Sequence, residues 1–328
     1  MPEQGGFSKA QDLRMSQLLA GSPKNWGRWG PDDEVGSLNF LTQSEVLRGV
    51  RAVKQGKVIT CGELIGNPKG DPMFPGRKPT VREMVQDKND YVSGKATPLP
   101  GGVEYADDKI TMFLQGSTQI DALGHVWYDD HVWNGYPAVE ATTGGGMKKT
   151  SILPIAERGI VGRGVLLDMA AHFGKFALEK GDTFGLDEML DCAQRQGVTI
   201  EKHDILCLRI GFLQLLYVQG PDVFYKDFNE PGLTYSAEVV DWFHKMEIPC
   251  LATDTISNEI DVDPELGVQI PLHCALMRNL GIIFNEICNF EALAKDCHED
   301  GQWDFLFTAA PLKVREATGA PLNVMVVK

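Results

Sequence analysis

In QGSTQIDALGH, residues 115–125, stand Gln115, Gln119, Asp121 and His125, and His131 follows in the aromatic run VWYDDHVWNG. An aspartate and a histidine four apart, on a segment leaving a strand, can be brought to one side of the chain. There a carboxylate and a neutral imidazole are donors for Zn or Mn. The two glutamines are poorer donors, because a neutral amide oxygen competes weakly with imidazole. Taken alone, the spacing is more often that of a hydrogen-bonded Asp–His pair.

A second cluster lies in LHCALMRNLGIIFNEICNF, where His273 opens an apolar helix and Glu286 sits inside the apolar strand IIFNEIC. A carboxylate in such a strand needs a partner, since an unpaired buried charge is costly. A third, LATDTISNE, places Asp254, Thr255 and Ser257 at the carboxyl end of a strand, where α/β proteins bind ligands and where an Asx-type turn is as good a reading. His172, His203, His244 and His298 stand in surface or structural contexts. The glycine run TTGGGMKKTS lacks the spacing of a phosphate loop.

These residues must be positioned by strands and helices that alternate from residue 108 onward. Thr42 and Glu45 form a capping box ahead of an apolar stripe (Val46, Leu47, Val50, Val53) that Gly56 stops. KVITCGELIG reads as a strand, and KITMFLQGSTQID as a strand running into the polar cluster. IVGRGVLLDMA, DILCLRIG, PCLATDT, IIFNEIC, DFLFTAAPLKV and PLNVMVV are further strands. LDEMLDCAQRQG, SAEVVDWFHKME (capped by Ser236) and PLHCALMRNLG are helices. The expected product is one α/β domain with a mixed sheet over residues 1–328. It carries an extended N-terminal segment at 1–40 and a Pro/Gly-rich, charged loop excursion at 67–106.

Bulk properties exclude some functions. The 328 residues are 43% hydrophobic and carry a net charge of −14, which leaves no basic face for nucleic acid. The longest apolar run, ILCLRIGFLQLLYV, is too short to span a membrane and contains Arg209. The seven scattered cysteines include no CxxC pair and read as small core residues of a reducing compartment. MPEQGGFSKAQD lacks the layout of a signal peptide, so a cytoplasmic location is expected.

Taken in order, these segments resemble the cyclase-like metal hydrolases, the family that includes kynurenine formamidase and isatin hydrolase. The family motif H-x-G-T-H-x-D-x-P-x-H reads here from Gln115 to His125, with Gln115 and Gln119 where the family has histidine. GVLLDMA, LTYSAEVVDWF, LATDTIS, LHCALMRNLGIIFNE, the closing APLKVREATGAPLNVMVV and the opening NWGRWGPDDEVGSLNFLT extend the likeness over most of the chain. The resemblance implies a swivelling β/β/α-type α/β fold, a homodimer or homotetramer, a small-molecule substrate, and one divalent ion, Zn or Mn. It implies two arrangements of that ion. In one, Asp121, His125, His273 and Glu286 hold it. In the other, the motif positions of Gln115, Gln119 and Asp121 do, with His125 nearby as base.

The activity implied is hydrolysis of an amide-type C–N bond, or an ester or lactone C–O bond, in a small cyclic or aryl substrate. His125 or Glu286 then moves the proton, with Asp254 as a further candidate base. Gln115, Trp127, Tyr128, His131 and Trp133 are the candidate substrate contacts. The competing readings are a lyase or dehydratase on the same scaffold and a non-catalytic small-molecule binding protein.

Overall fold

The computed structural model describes residues 13–328. The segment on which the signal-peptide reading rests, 1–12, and the start of the 1–40 extension lie outside them. The elements that build the site are, in chain order, α1 (Gln43–Ala52), β1 (Val58–Thr60), β2 (Val81–Gln86), β3 (Asp107–Thr111), β4 (Gln119–Asp121) and β5 (Ile160–Asp168). They continue with α2 (Leu186–Gln196), β6 (Ile205–Arg209), α3 (Phe212–Gln219), α4 (Ala237–Met246) and β7 (Cys250–Thr253). A π-helix (His273–Asn279) precedes β8 (Ile283–Glu286), α5 (Glu291–Asp300), β9 (Asp304–Ala309), β10 (Gly319–Pro321) and β11 (Met325–Val327).

Nine strands form one mixed sheet in the order β1-β11-β9-β5-β6-β7-β8-β4-β10. The middle four, β5 to β8, are parallel. The flanking strands are antiparallel, β9 against β5 on one side and β4 against β8 on the other. Buried on both faces, β6, β7 and β8 open on apolar residues and turn polar only at their carboxyl ends, as parallel strands under helices do. One hydrophobic core joins residues from Leu19 to Val326. This is the mixed α/β architecture expected. No helix among the described residues is long and apolar enough to cross a membrane.

Several elements differ from expectation for identifiable reasons. The Thr42/Glu45 capping box forms, but α1 ends at Ala52 and leaves Leu47 and Val50 exposed. The helix sits instead on Gly49, where a Cβ would come within 2.6 Å of the Gly162 carbonyl on β5. A close glycine–glycine contact replaces the apolar stripe. The excursion is not all loop: β2 pairs with β3 in an antiparallel hairpin that is exposed along almost its whole length. KITMFLQGSTQID is therefore two strands, β3 in the hairpin and β4 in the main sheet. The helix expected in PLHCALMRNLG winds as a π-helix, a form that recurs at functional sites. All seven cysteines are unpaired and buried.

Candidate metal centre

Strand geometry gathers the site. Gln119 and Asp121 lie two apart on β4, so both side chains leave the same face. Glu286, the last residue of β8, is the register partner of Gln119, which puts its carboxylate on that face too. His273 enters from the first residue of the π-helix. Ligand atoms of Asp121, His273 and Glu286 all lie within 4.8 Å of one another, and the three residues are buried.

The surrounding bonds fix which atoms face inward. Glu259, fully buried, accepts the backbone N–H groups of Leu272 and His273 at 2.6 Å each and binds His273 Nδ1 at 2.7 Å. His273 Nε2 is thereby turned to the cluster, 3.3 Å from Glu286 Oε1. A carboxylate behind a histidine in this way sets the tautomer and orientation of a metal-binding imidazole. The Gln119 amide donates to Glu286 Oε2. Gln119 Oε1, Asp121 Oδ1 and Glu286 Oε1 are buried and have no hydrogen-bond partner. Three stranded acceptors converging beside one imidazole nitrogen form a donor set suited to a divalent cation.

The electrostatics agree. Burial, together with the Asp121 charge, pushes the Glu286 carboxyl up to about 7. Burial pulls the His273 imidazolium down, but the hydrogen bond to Glu259 and the negative charge of the facing Glu286 outweigh it and hold it up to about 10. Protons thus occupy what a cation would otherwise neutralise. His125 stands at the edge: its Nε2 is 3.9 Å from Asp121 Oδ1, its ring is about three-quarters buried, and burial holds it below the usual imidazole value.

The structure separates the other expected residues. Gln115 donates to Thr318 Oγ1 at 3.0 Å, close to Asp121, because both face Gly319 on β10: a Cβ there would lie 2.7 Å from Gln115 Nε2 and 3.4 Å from Asp121 Oδ1. A Gly319→Ala variant would also press on the Ile120 carbonyl at 2.9 Å. It should lose about 1–3 kcal/mol of stability, the cost of overpacking, and bind metal more weakly. Paired thermal melts and metal titrations read both effects.

Asp254 is not available as a base. Its two oxygens accept the Ile210 and Gly211 amides at 2.6 and 2.7 Å, so it pins the turn from β6 into α3, and burial pushes it up to about 7. Thr255 and Ser257 likewise serve the loop, Thr255 bonding Thr253 and Ser257 bonding the buried Glu230. Of the proposed aromatic wall, Trp133 is fully buried, with its indole N–H on Asp33, and cannot touch a ligand. Tyr128 is taken up by Arg278, which stacks 3.9 Å over its ring. His131 lies on an exposed turn, bonded to the Asp129 carbonyl. Of the wall's three Trp and Tyr rings, Trp127 alone is substantially exposed. His172, His203 and His298 pair with Asp191, Glu247 and Asp168, away from the cluster.

Sequence reasoning missed Glu259, though it stands in the quoted LATDTISNE. An acid followed by an apolar residue after a strand was a signal that it would turn inward. It also missed Arg77, inside the excursion, whose Nη1 donates to the Gln115 carbonyl at 2.8 Å.

Comparison with known proteins follows the same lines. The "Putative cyclase" family model matches residues 48–260. No curated protein matches the chain. A crystal structure described as a novel cyclase is similar at 33% identity and a TM-score of 0.85, covering 93% of this chain and 100% of that one. Isatin hydrolase A from Ralstonia solanacearum is 16% identical, with a TM-score of 0.58 over 83% of this chain and 92% of that one. Isatin hydrolase A from Labrenzia aggregata, bound to benzyl benzoate, is also 16% identical, with a TM-score of 0.57 over 84% and 94%. At that identity the likeness to the isatin hydrolases is one of fold.

Proposed function

The chain belongs to the cyclase family, and from that premise we propose that it is a metal-dependent hydrolase. Its reaction is cleavage of an amide-type C–N bond, or of an ester or lactone C–O bond, in a small cyclic or aryl substrate. The observation that carries the reading is the set of unpartnered oxygens on Gln119, Asp121 and Glu286 beside His273, whose other nitrogen is tied to Glu259. Each buried acceptor left unpaired costs about 1–3 kcal/mol, a strain that a cation relieves. Asp121, His273 and Glu286 would hold one divalent ion, with Gln119 Oε1 as a further donor. One imidazole among oxygens suits Mn at least as well as Zn. Such an ion supplies Lewis acidity, making hydroxide available near neutral pH and polarising a carbonyl.

The protein's own groups do the rest. His125, neutral and partly open to solvent, takes the proton of the attacking water and returns it to the leaving nitrogen or oxygen. Glu259 keeps the His273 ring from turning. Gln115, next to Asp121, is a donor for the substrate carbonyl, and Trp127 offers an aromatic face two residues past His125.

Metal analysis of the purified protein should find about one Zn or Mn per chain, a single-ion site being what these donors can form. A screen with proton release as readout should begin with isatin, since isatin hydrolases share the fold, and continue through other cyclic amides and lactones. Metal should be retained at pH 8 and lost toward pH 5. Ligands bind deprotonated, and burial with the Asp121 charge holds the Glu286 carboxyl up to about 7, so protons compete more strongly as pH falls. Protein that carries no metal and gains no activity from Mn or Zn would be a binding protein instead. Turnover confined to substrates without a hydrolysable bond would make it a lyase.

A further inference from the structure

We propose that Arg77 anchors the substrate, and that the cavity it borders takes a molecule whose apolar body carries an anionic group, a carboxylate above all. The inference rests on the reading of Asp121, His273 and Glu286 as the reacting centre.

The cavity, about 490 Å³, is walled by eleven residues between Gly66 and Thr80 of the excursion, neither Lys69 nor Lys78 among them, together with Leu216, Pro221 and Tyr225. That is room for a small aromatic or branched aliphatic ligand. Its lining is mostly apolar, and its polar groups are largely spent. Asp71 accepts the amides of Gly66, Asn67 and Thr80, and the Tyr225 hydroxyl is occupied by the Met73 amide and the Asp71 carbonyl. Arg77 is the one cationic side chain among the lining residues.

Arg77 is unusual in this chain for what it lacks. Acidic residues outnumber basic ones 45 to 31, so a half-buried arginine would be expected to find a carboxylate. Arg48, Arg163 and Arg209 each hold two. Arg158 ends on backbone carbonyls, and Arg278 on carbonyls and Asn279. Arg77 makes a single bond, Nη1 to the Gln115 carbonyl at 2.8 Å, and its Nε and Nη2 have no acceptor among the described residues. The guanidinium fork is built for a carboxylate in two-point contact, and here the fork is vacant.

Its place makes the vacancy useful. The Gln115 that Arg77 holds by its carbonyl sends its side chain to the same Gly319 surface as Asp121 Oδ1. An anionic group on Arg77 would therefore place the remainder of the molecule between the apolar cavity and the metal ligands, with its reacting carbonyl directed at the cluster.

Phenylacetate and its neutral isostere phenylacetamide test this by calorimetric titration of the full chain as purified. Wild type should bind phenylacetate at least tenfold more tightly than phenylacetamide. Arg77→Met should erase that preference while leaving phenylacetamide binding within twofold and metal content unchanged. Arg77→Lys, which keeps the charge but not the fork, should fall between, and it guards against a folding defect in the methionine variant. The proposal is overturned if wild type shows no preference, or if Arg77→Met keeps it. It is equally overturned if the preference disappears in His273→Ala and survives in Arg77→Met, because the carboxylate then sits on the metal. The hydrolase reading fails separately, on metal content and turnover.

Discussion

A His273→Ala variant should fold, carry less than about a tenth of the wild-type metal, and lose turnover on the order of 10³-fold or more, since several kcal/mol of Lewis-acid assistance leave with the ion. His273 supplies the only nitrogen in the three-residue cluster. The fold should survive because Glu259 keeps its bonds to the backbone amides of residues 272 and 273, which alanine retains. Glu259→Gln tests the support behind the ligand. It leaves the ring in place but loosens its tautomer, so metal affinity should drop by about 10–100-fold, the usual cost of losing such a partner. Elemental analysis and circular dichroism on the same preparations read the outcome. A His273→Ala protein with a full complement of metal would mean that the ion is held elsewhere and that the cluster is a buried proton-sharing network.

What the sequence could and could not disclose follows from the range of the interactions. Helix caps are local, and those of α1 and α4 were readable from Thr42, Glu45 and Ser236. The parallel strands announced themselves as apolar runs. His273 and Glu286 stood out as polar groups in apolar surroundings and Asp121 by its spacing from His125, yet nothing local says that β4 pairs with β8. That pairing spans more than 160 residues and alone puts Gln119 opposite Glu286. Asp254 shows the converse failure. Its place at a strand end was right, but the direction of its carboxylate was decided by two amides in the turn that leaves β6. The hairpin was invisible for a different reason: VREMVQ and DDKIT have no buried face, so no alternation marks them as strands. The widened turn of the π-helix, likewise, leaves no trace in a segment that is apolar all round.

Replacing His125 with alanine should cut turnover by about 10²–10⁴-fold, the range for loss of a general base, while leaving metal content near normal. The split between those two readouts separates the arrangements the family permits. His125 Nε2 lies 3.9 Å from Asp121 Oδ1, outside the group of ligand atoms that converge within 4.8 Å. It is also the one titratable side chain at the cluster with an open side, whereas Asp121, His273 and Glu286 are almost fully buried. A ligand gains from being enclosed. A base that must receive a proton from water and give it to a departing group needs access to both. If metal falls along with turnover in His125→Ala, the histidine is a fourth ligand and the base must be sought elsewhere. If metal is retained and turnover still collapses, Gln119 fills the ligand position beside Asp121, and the glutamine at this motif position is a working donor in a one-metal site.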